Sequence, residues 1–287
     1  MSDVDPNQAT SSELNRKTFV GISAGAAAVA GTLAGVRAQT AEYGKPHPPI
    51  VPEEYPGIAV KRVQLQRSDK LIAAYTASPK DAGPRTPGVV ICMHVWGVDT
   101  SMRDVARRYA KQGYVAIVPD LYDRFGAPSG DGVTDIAVFR PFAGKLDDKQ
   151  VDGDIRAAAL WIRTNHPQGR IGVTGFCMGG TIALRQSIDN EDIFAADAVF
   201  YGQVGFAAKR SVAIHVPISG SYGGRDTSIP SAEVFAFQRL LRVPNDIKVY
   251  SEAGHGFFDD QRPSYVASAA EDAWVRTLDF FTKYLKR

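Results

Sequence analysis

Apolar and polar positions follow two different repeats along the chain from about residue 58 to the C-terminus. Short runs rich in β-branched and aromatic residues predict strands, and residues 88–94 (GVVICMH) are apolar almost throughout, as in a strand buried on both faces. Longer segments place apolar residues three or four positions apart, which predicts amphipathic helices. In residues 101–114 the apolar face consists of Met102, Val105, Ala106 and Tyr109.

The pattern predicts strands at residues 58–66, 71–78, 88–94, 114–120, 170–175, 196–202, 212–223 and 246–254. It predicts helices at residues 101–114, 150–166 and 264–287, and another beginning near residue 178. The first two strands read as an antiparallel pair. Alternation of the other strands with helices favours one mostly parallel sheet with helices on both faces, which is an α/β fold in a single domain.

Local signals mark element ends. Ser101 and Asp104 form a capping pattern for the first helix, and Gly113 supplies its stop. Residues 123–148 are irregular and rich in Gly, Pro and Asp, so we expect a loop segment that could lie over a cleft.

Composition narrows the function classes. The 287 residues carry a net charge of +2, with 44% hydrophobic residues, so there is no broad basic surface and nucleic acid is not an expected partner. The two cysteines, Cys92 and Cys177, make no disulfide framework, and neither has a metal-ligand spacing around it. We therefore expect neither a metal nor an organic cofactor.

The N-terminal residues resemble an export signal. Arg16 and Lys17 precede a Gly/Ala-rich stretch that ends in a small-x-small pattern at Ala38. We interpret residues 1–38 as a twin-arginine-like signal, 39–57 as a Pro-rich linker and 58–287 as the α/β domain. The mature protein is expected to be exported to the periplasm without a stable membrane anchor. A retained anchor, a disordered tail and a cytoplasmic location are the alternatives, and the sequence does not indicate an oligomeric state.

Polar residues with catalytic potential fall at the carboxyl ends of predicted strands, where α/β proteins bind ligands. They are His94, Cys177, Asp226 and His255. Residues 175–179 read Gly-x-Cys-x-Gly between a strand and a helix, a frame that holds a nucleophile at a sharp turn in hydrolases. The chain order of nucleophile, acid and histidine also matches that class.

The residue types fit nucleophilic catalysis by a thiol. A thiol attacks a carbonyl as the thiolate, so Cys177 needs a base, which His255 could supply, and a helix N-terminus favours the charge. Asp226 would orient the imidazole and stabilise its protonated form. Asp120 is the competing acid, but it reads as a strand end that caps the next turn. His166 and His215 read as surface and strand residues.

From about residue 56 to the C-terminus the chain resembles the dienelactone hydrolase (carboxymethylenebutenolidase) family. The resemblance rests on residues 94–122, 172–180 (GVTGFCMGG), 223–230 (GGRDTSIP) and 252–259 (EAGHGFFD). It implies the α/β-hydrolase fold and cleavage of a small-molecule ester or lactone, with Cys177, Asp226 and His255 in their triad roles. The backbone N–H groups of Met178 and Val95 would form the oxyanion hole.

Other functions remain open. A broad-specificity carboxylesterase would act on neutral esters by the same chemistry. A non-catalytic binding protein on a hydrolase scaffold and a redox thiol protein are further alternatives.

The chain departs from the family pattern at two positions. His94 stands where family members commonly carry Glu, and we hypothesise that it lies close to Cys177 as an alternative proton acceptor or hydrogen-bond partner, or else shapes the oxyanion loop. Asp259 stands where an Arg that grips a substrate carboxylate is expected. Arg262, Arg124 or Arg140 could bind the substrate carboxylate instead, and Tyr122 could line the cleft.

Overall fold

The structure, a computed structural model, describes residues 47–286. Within this range one sheet contains β1 (Ile58–Gln66), β2 (Leu71–Pro79), β3 (Gly88–Cys92), β4 (Val115–Pro119), β5 (Ile171–Phe176), β6 (Ala196–Phe200), β7 (Ile218–Gly223) and β8 (Asn245–Tyr250). The helices are α1 (Thr100–Lys111), α2 (Arg140–Ala143), α3 (Asp148–Asn165), α4 (Met178–Asp189), α5 (Gly205–Lys209), α6 (Ser231–Leu240) and α7 (Ala267–Leu285).

The strand order is β1-β2-β4-β3-β5-β6-β7-β8. Strands β1 and β2 pair antiparallel, as do β2 and β4, and every later pair is parallel. A short turn can join antiparallel strands, whereas parallel neighbours need a crossover, which the helices provide. The predicted α/β class with an antiparallel opening pair is confirmed.

Both faces of the sheet are covered. Gly88 pairs with Ile171 across β3 and β5, so Gly88 and Gly172 face opposite sides. A Cβ at Gly88 would collide with Ile162 of α3, and a Cβ at Gly172 would collide with Phe281 of α7. Helices α3 and α7 therefore pack closely on opposite faces.

Each of these helices has a neighbour on its own face. Tyr109 of α1 packs on Trp274 and Phe281 of α7. Arg185 of α4 contacts Asp152 of α3 at 2.8 Å. Strands β3 to β6 are fully buried between these layers, which explains their continuous apolar runs.

Residues 47–57 contain no helix or strand but pack on the domain. The backbone N–H groups of Ile50 and Val51 donate to the Asp104 carboxylate at 3.0 and 2.8 Å. The Val51 side chain is buried, and Asp104 is fully buried. This part of the predicted linker is therefore tied to α1, and β1 follows at Ile58.

Two local predictions were wrong. Residues 212–217 do not belong to a strand, because Ser211–Ala213 forms a 3-10 turn and β7 begins at Ile218, after Pro217, which lacks a ladder N–H. Helix α1 is capped by Asp99, whose carboxylate accepts from Met102 N–H, and not by the Ser101–Asp104 pattern.

Three helices, α2, α5 and α6, were not predicted from the pattern. Helix α6 follows Pro230 without a side-chain cap, and only Val234 and Phe237 of it are buried. Helix α2 lies in the irregular 123–148 segment, which also holds two short 3-10 turns.

The predicted signal, residues 1–38, lies outside the described residues, as does the linker up to residue 46. Among the helices of residues 47–286, none has the length and apolar composition needed to cross a membrane.

Asp197 on β6 is fully buried, and neither of its carboxylate oxygens has a hydrogen-bond partner. Burial raises the pKa of Asp197 well above its usual value, so the native state holds its proton where the unfolded chain has lost it. The free energy of unfolding should therefore fall as pH rises above about 4, by up to about 1.4 kcal/mol per pH unit. The fall should end where pH reaches the pKa of Asp197 in the folded protein.

Asp197→Asn removes this titration. Urea unfolding should be used to measure the free energy of unfolding of Asp197→Asn minus that of wild type at two pH values. We expect this difference to be more favourable to the variant at pH 8 than at pH 4.5. Asp81→Asn, at an exposed site, is the control. An identical difference at both pH values would contradict the assignment.

Candidate active site

Cys177 sits at a sharp turn between β5 and α4. Its backbone has φ 57° and ψ −118°, a conformation that costs a non-glycine residue about 1–3 kcal/mol. Hydrogen bonds on both sides hold it: Cys177 N–H donates to the Phe200 carbonyl at 3.1 Å, and the Cys177 carbonyl accepts from Thr181 N–H at 3.2 Å. The side chain is thereby presented at the carboxyl edge of the sheet.

The two glycines of the Gly-x-Cys-x-Gly frame permit this turn. A Cβ at Gly175 would lie 2.0 Å from the Gly179 carbonyl oxygen. A Cβ at Gly179 would lie 2.1 Å from the Cys92 carbonyl oxygen at the end of β3. The first turn of α4 can approach the strands this closely only because neither residue has a side chain.

His255 and Asp226 meet beside the cysteine. His255 follows β8 and Asp226 follows β7, and His255 Nδ1–H donates to Asp226 Oδ2 at 2.7 Å. The other carboxylate oxygen accepts from the backbone N–H groups of Ser228 and Ile229 at 2.8 and 3.1 Å. Asp226 is thus fixed by its own loop, and it leaves the Nε2 side of His255 free for Cys177.

Cys177 and His255 are in hydrogen-bond contact and shift each other's titration. Burial alone would raise the pKa of Cys177, but His255, the Met178 N–H and His94 together lower it below its usual value. Burial alone would lower the pKa of His255, yet hydrogen bonds to Asp226 and Cys177 raise it to about 10. Each side chain therefore favours the charged form of the other, a thiolate beside an imidazolium.

Of the two residues predicted for the oxyanion hole, Met178 lies beside the sulfur, and Val95 is linked to Met178 through Tyr122. Met178 N–H, the first of α4, faces the Cys177 side chain and lowers its pKa. Val95 lies in the loop after β3, where Gly97 N–H donates to the His94 carbonyl at 3.1 Å. Tyr122 holds this loop, since its hydroxyl donates to the Val95 carbonyl at 3.0 Å and lies 3.7 Å from Met178 Sδ.

His94 is buried, and each of its ring nitrogens lies within ion-pair distance of a carboxylate. Nε2 lies 2.9 Å from Asp99 Oδ1, and Nδ1 lies 3.5 Å from Asp259 Oδ2. These carboxylates outweigh burial and raise the pKa of His94 to about 10. A protonated imidazole has no lone pair to accept a proton, so this geometry argues against the acceptor hypothesis. The charge of His94 nevertheless reaches Cys177 and helps to lower its pKa.

Two of the candidate substrate arginines are committed elsewhere. Arg124 forms ion pairs with Asp154 and Asp69 at 2.8 and 2.6 Å. Arg262 contacts Asp99 and Asp259, both at 3.2 Å. Arg140, at the start of α2, is exposed.

The other predicted residues lie as follows. Asp120 accepts from Tyr122 N–H at 2.9 Å, as expected of a turn cap. His166 is half-buried with Nδ1 at 2.8 Å from the Gly83 carbonyl, and His215 is exposed in the loop before β7. Among residues 47–286 there is no group of three or more His, Cys, Asp or Glu side chains suited to a metal ion.

Tyr201 was missed as a site residue. It follows β6 with a positive φ of 39°, is buried, and packs edge-on to His255 with ring centroids 5.2 Å apart. Its strand ends at the same sheet edge as the predicted triad, so the strand-end argument could have found it.

Comparisons with known proteins agree with this geometry. The dienelactone hydrolase family model matches residues 72–285. The chain belongs to this family. A "Putative carboxymethylenebutenolidase" of Yersinia pestis is 37% identical over 226 residues, covering 74% of this chain and 84% of its own. One from Escherichia coli (strain K12) is 38% identical over 224 residues, covering 74% and 82%.

The solved structures agree. A "Putative Dienelactone Hydrolase" from Klebsiella pneumoniae has a TM-score of 0.73 at 33% identity, covering 79% of this chain and 99% of its own. This dienelactone hydrolase family member therefore has the α/β-hydrolase fold and is a carboxylic ester hydrolase that acts on esters or lactones.

Tyr122→Phe should loosen the loop after β3 (residues 93–97), which carries Val95. Loss of one hydrogen bond of about 1 kcal/mol predicts a five- to tenfold fall, roughly, in kcat/KM for a neutral aryl ester. Tyr114→Phe is the matched control, because its hydroxyl contacts Thr282 and lies on the α7 side of the fold. Equal kcat/KM values for the two variants would show that Tyr122 does not support the loop after β3.

Proposed function

We propose that this hydrolase cleaves a small ester or lactone of the dienelactone type with Cys177 as its nucleophile and a thioester as the acyl-enzyme. The observation that carries the proposal is the Cys177 side chain at the β5–α4 turn, in contact with His255, which Asp226 orients at 2.7 Å. A thiolate paired with an imidazolium is already the reactive form, so no proton must be removed before attack.

In the first half-reaction the sulfur of Cys177 forms a bond to the substrate carbonyl carbon, and the carbonyl oxygen becomes an oxyanion. The N–H groups of Met178 and Val95 stabilise that charge, a contribution of about 3 kcal/mol for each donor in comparable sites. The carbon–oxygen ester bond then breaks. The leaving alkoxide or enolate takes the proton of the His255 imidazolium.

In the second half-reaction neutral His255 takes a proton from water, and the resulting hydroxide attacks the thioester carbon. The carbon–sulfur bond breaks, the electron pair returns to Cys177, and the acid product leaves. His255 keeps the proton, which restores the initial ion pair. Asp226 stabilises the imidazolium at both stages.

A second candidate, a broad carboxylesterase acting on neutral esters, is favoured by the charges near the site. A buried acid, Asp259, occupies the position expected for a carboxylate-binding arginine. Arg262 and Arg124 are both held in ion pairs with aspartates. Arg140 is left as the candidate cation for an anionic substrate.

We also propose export through residues 1–38. The basis is the Arg16–Lys17 pair, the Gly/Ala-rich stretch and the small-x-small pattern at Ala38. Expression of the full chain in a Gram-negative host should give a periplasmic protein whose first residue is Gln39. Arg16→Ala/Lys17→Ala should keep the protein in the cytoplasm, and an unprocessed cytoplasmic wild-type chain would refute the proposal.

Cys177→Ala should abolish hydrolysis of both dienelactone and a neutral aryl ester, by at least about a thousandfold in kcat. Cys92→Ala is the matched control, since Cys92 is a buried thiol on β3 and its loss should affect stability more than turnover. Retained activity in Cys177→Ala would reject the nucleophile assignment.

The same assay separates the two substrate classes. Faster opening of dienelactone than of the neutral ester, lost on Arg140→Gln, would support the anionic substrate. Cleavage of only the neutral ester would favour the carboxylesterase.

A further inference from the structure

Four charged side chains form a buried cluster beside the active site: His94, Asp99, Asp259 and Arg262. Their side chains are 3%, 5%, 6% and 14% exposed. Each of the two cations contacts both carboxylates, at distances between 2.9 and 3.5 Å. The cluster is neutral only when His94 is protonated. A neutral His94 would leave two buried carboxylates with one cation, which is costly in a site of low dielectric.

The cluster joins separate parts of the chain. His94 belongs to the loop after β3, here called the oxyanion loop (residues 93–97), and Asp99 caps α1. Asp259 lies in the loop after His255 and also accepts from the Ser101 hydroxyl at 2.9 Å. Arg262 lies 3.5 Å above the Trp96 ring centre and donates to the Val133 carbonyl at 2.9 Å. With contacts from four segments, His94 cannot easily turn away from either carboxylate.

The parallel register of β3 and β5 pairs Cys92 with Gly175, and continued by two residues it brings His94 level with Cys177. His255 and His94 are both cations, and their charges both favour the thiolate. Tyr122 and Tyr201 also lie within the electrostatic reach of Cys177, and both are phenols whose pKa is raised by burial and by the Cys177 charge. His94 is therefore a second positive charge beside the sulfur, in addition to His255.

We propose that His94 is a positioning residue of this hydrolase: a permanently protonated cation, clamped by Asp99 and Asp259, that stabilises the Cys177 thiolate independently of His255. This inference rests on the proposed role of Cys177 as nucleophile. The two cations act over different parts of the cycle. His255 is neutral once the leaving group has taken its proton, and it is charged again when water has attacked and sulfur leaves carbon. The charge of His94 persists through both half-reactions, so it covers the interval in which His255 is neutral and adds to the charge of His255 when the thiolate is released.

The test measures the thiolate itself and not turnover. The rate of Cys177 alkylation by iodoacetamide is followed against pH, with Cys177→Ala as the blank, because buried Cys92 has a strongly raised pKa. His94→Gln is compared with its parent in two backgrounds, wild type and His255→Ala. His215→Gln, which removes an exposed histidine, is the matched control.

His94→Gln should move the alkylation midpoint upward by about one pH unit in both backgrounds, as expected for loss of a charge several ångströms away. His215→Gln should leave it in place. A merely structural role for His94 would change stability without moving the midpoint. An unchanged midpoint in both backgrounds would overturn the proposal.

Two further measurements guard against misfolding of His94→Gln. His94→Gln/Asp259→Asn removes one charge of each sign and leaves Arg262 paired with Asp99, and its midpoint should also lie above that of wild type. In the wild-type protein, the His94 NMR resonance, assigned by elimination with variants of the other histidines, should not titrate between about pH 5 and pH 9. A resonance that titrates near the usual pKa of histidine would overturn the proposal without any His94 variant.

The inference and the proposed function fail in different ways. Ester hydrolysis that survives Cys177→Ala would remove the nucleophile assignment whatever the alkylation data show. An inactive Cys177→Ala together with an unmoved midpoint in His94→Gln would leave the thiol mechanism standing and reject His94 alone.

Discussion

The close approach of helix α4 to the ends of β3 and β5 is the constraint on which the chemistry of this hydrolase depends. At Gly175 and Gly179 the backbone segments are too near to leave room for any side chain. This contact forces Cys177 into its left-handed conformation and directs the start of α4 at the sulfur. The loops from β7 and β8 bring Asp226 and His255 to the same edge.

The second constraint is electrostatic balance around the buried Cys177 sulfur. His255 is partly exposed and exchanges its proton during the proposed cycle, whereas His94 is sealed among carboxylates. In the proposed cycle the positive charge of His255 varies, whereas that of His94 does not.

Much of the fold and the centre of the candidate site were predictable from sequence. Buried parallel strands are short apolar runs, and their ends mark the functional edge, so a local pattern sufficed to select His94, Cys177, Asp226 and His255. Asp259 was not predictable as a partner of His94, because it lies far along the chain and meets His94 only in the folded protein. Tyr201 was missed because its strand pattern does not differ from that of a purely structural strand. Helix α6 was missed because its buried face is limited to two residues.

The segment of residues 47–57 bears on how the enzyme reaches its native state. Its backbone supplies two of the hydrogen-bond donors to Asp104, a carboxylate with no exposure to water. Cleavage of the chain between this segment and β1 would remove two donors from the Asp104 carboxylate. Asp104 lies on α1, the helix that Asp99 caps. The stretch that reads as a Pro-rich linker in the sequence therefore belongs to the folded domain from residue 47 onward, because it completes the hydrogen bonding of a buried carboxylate.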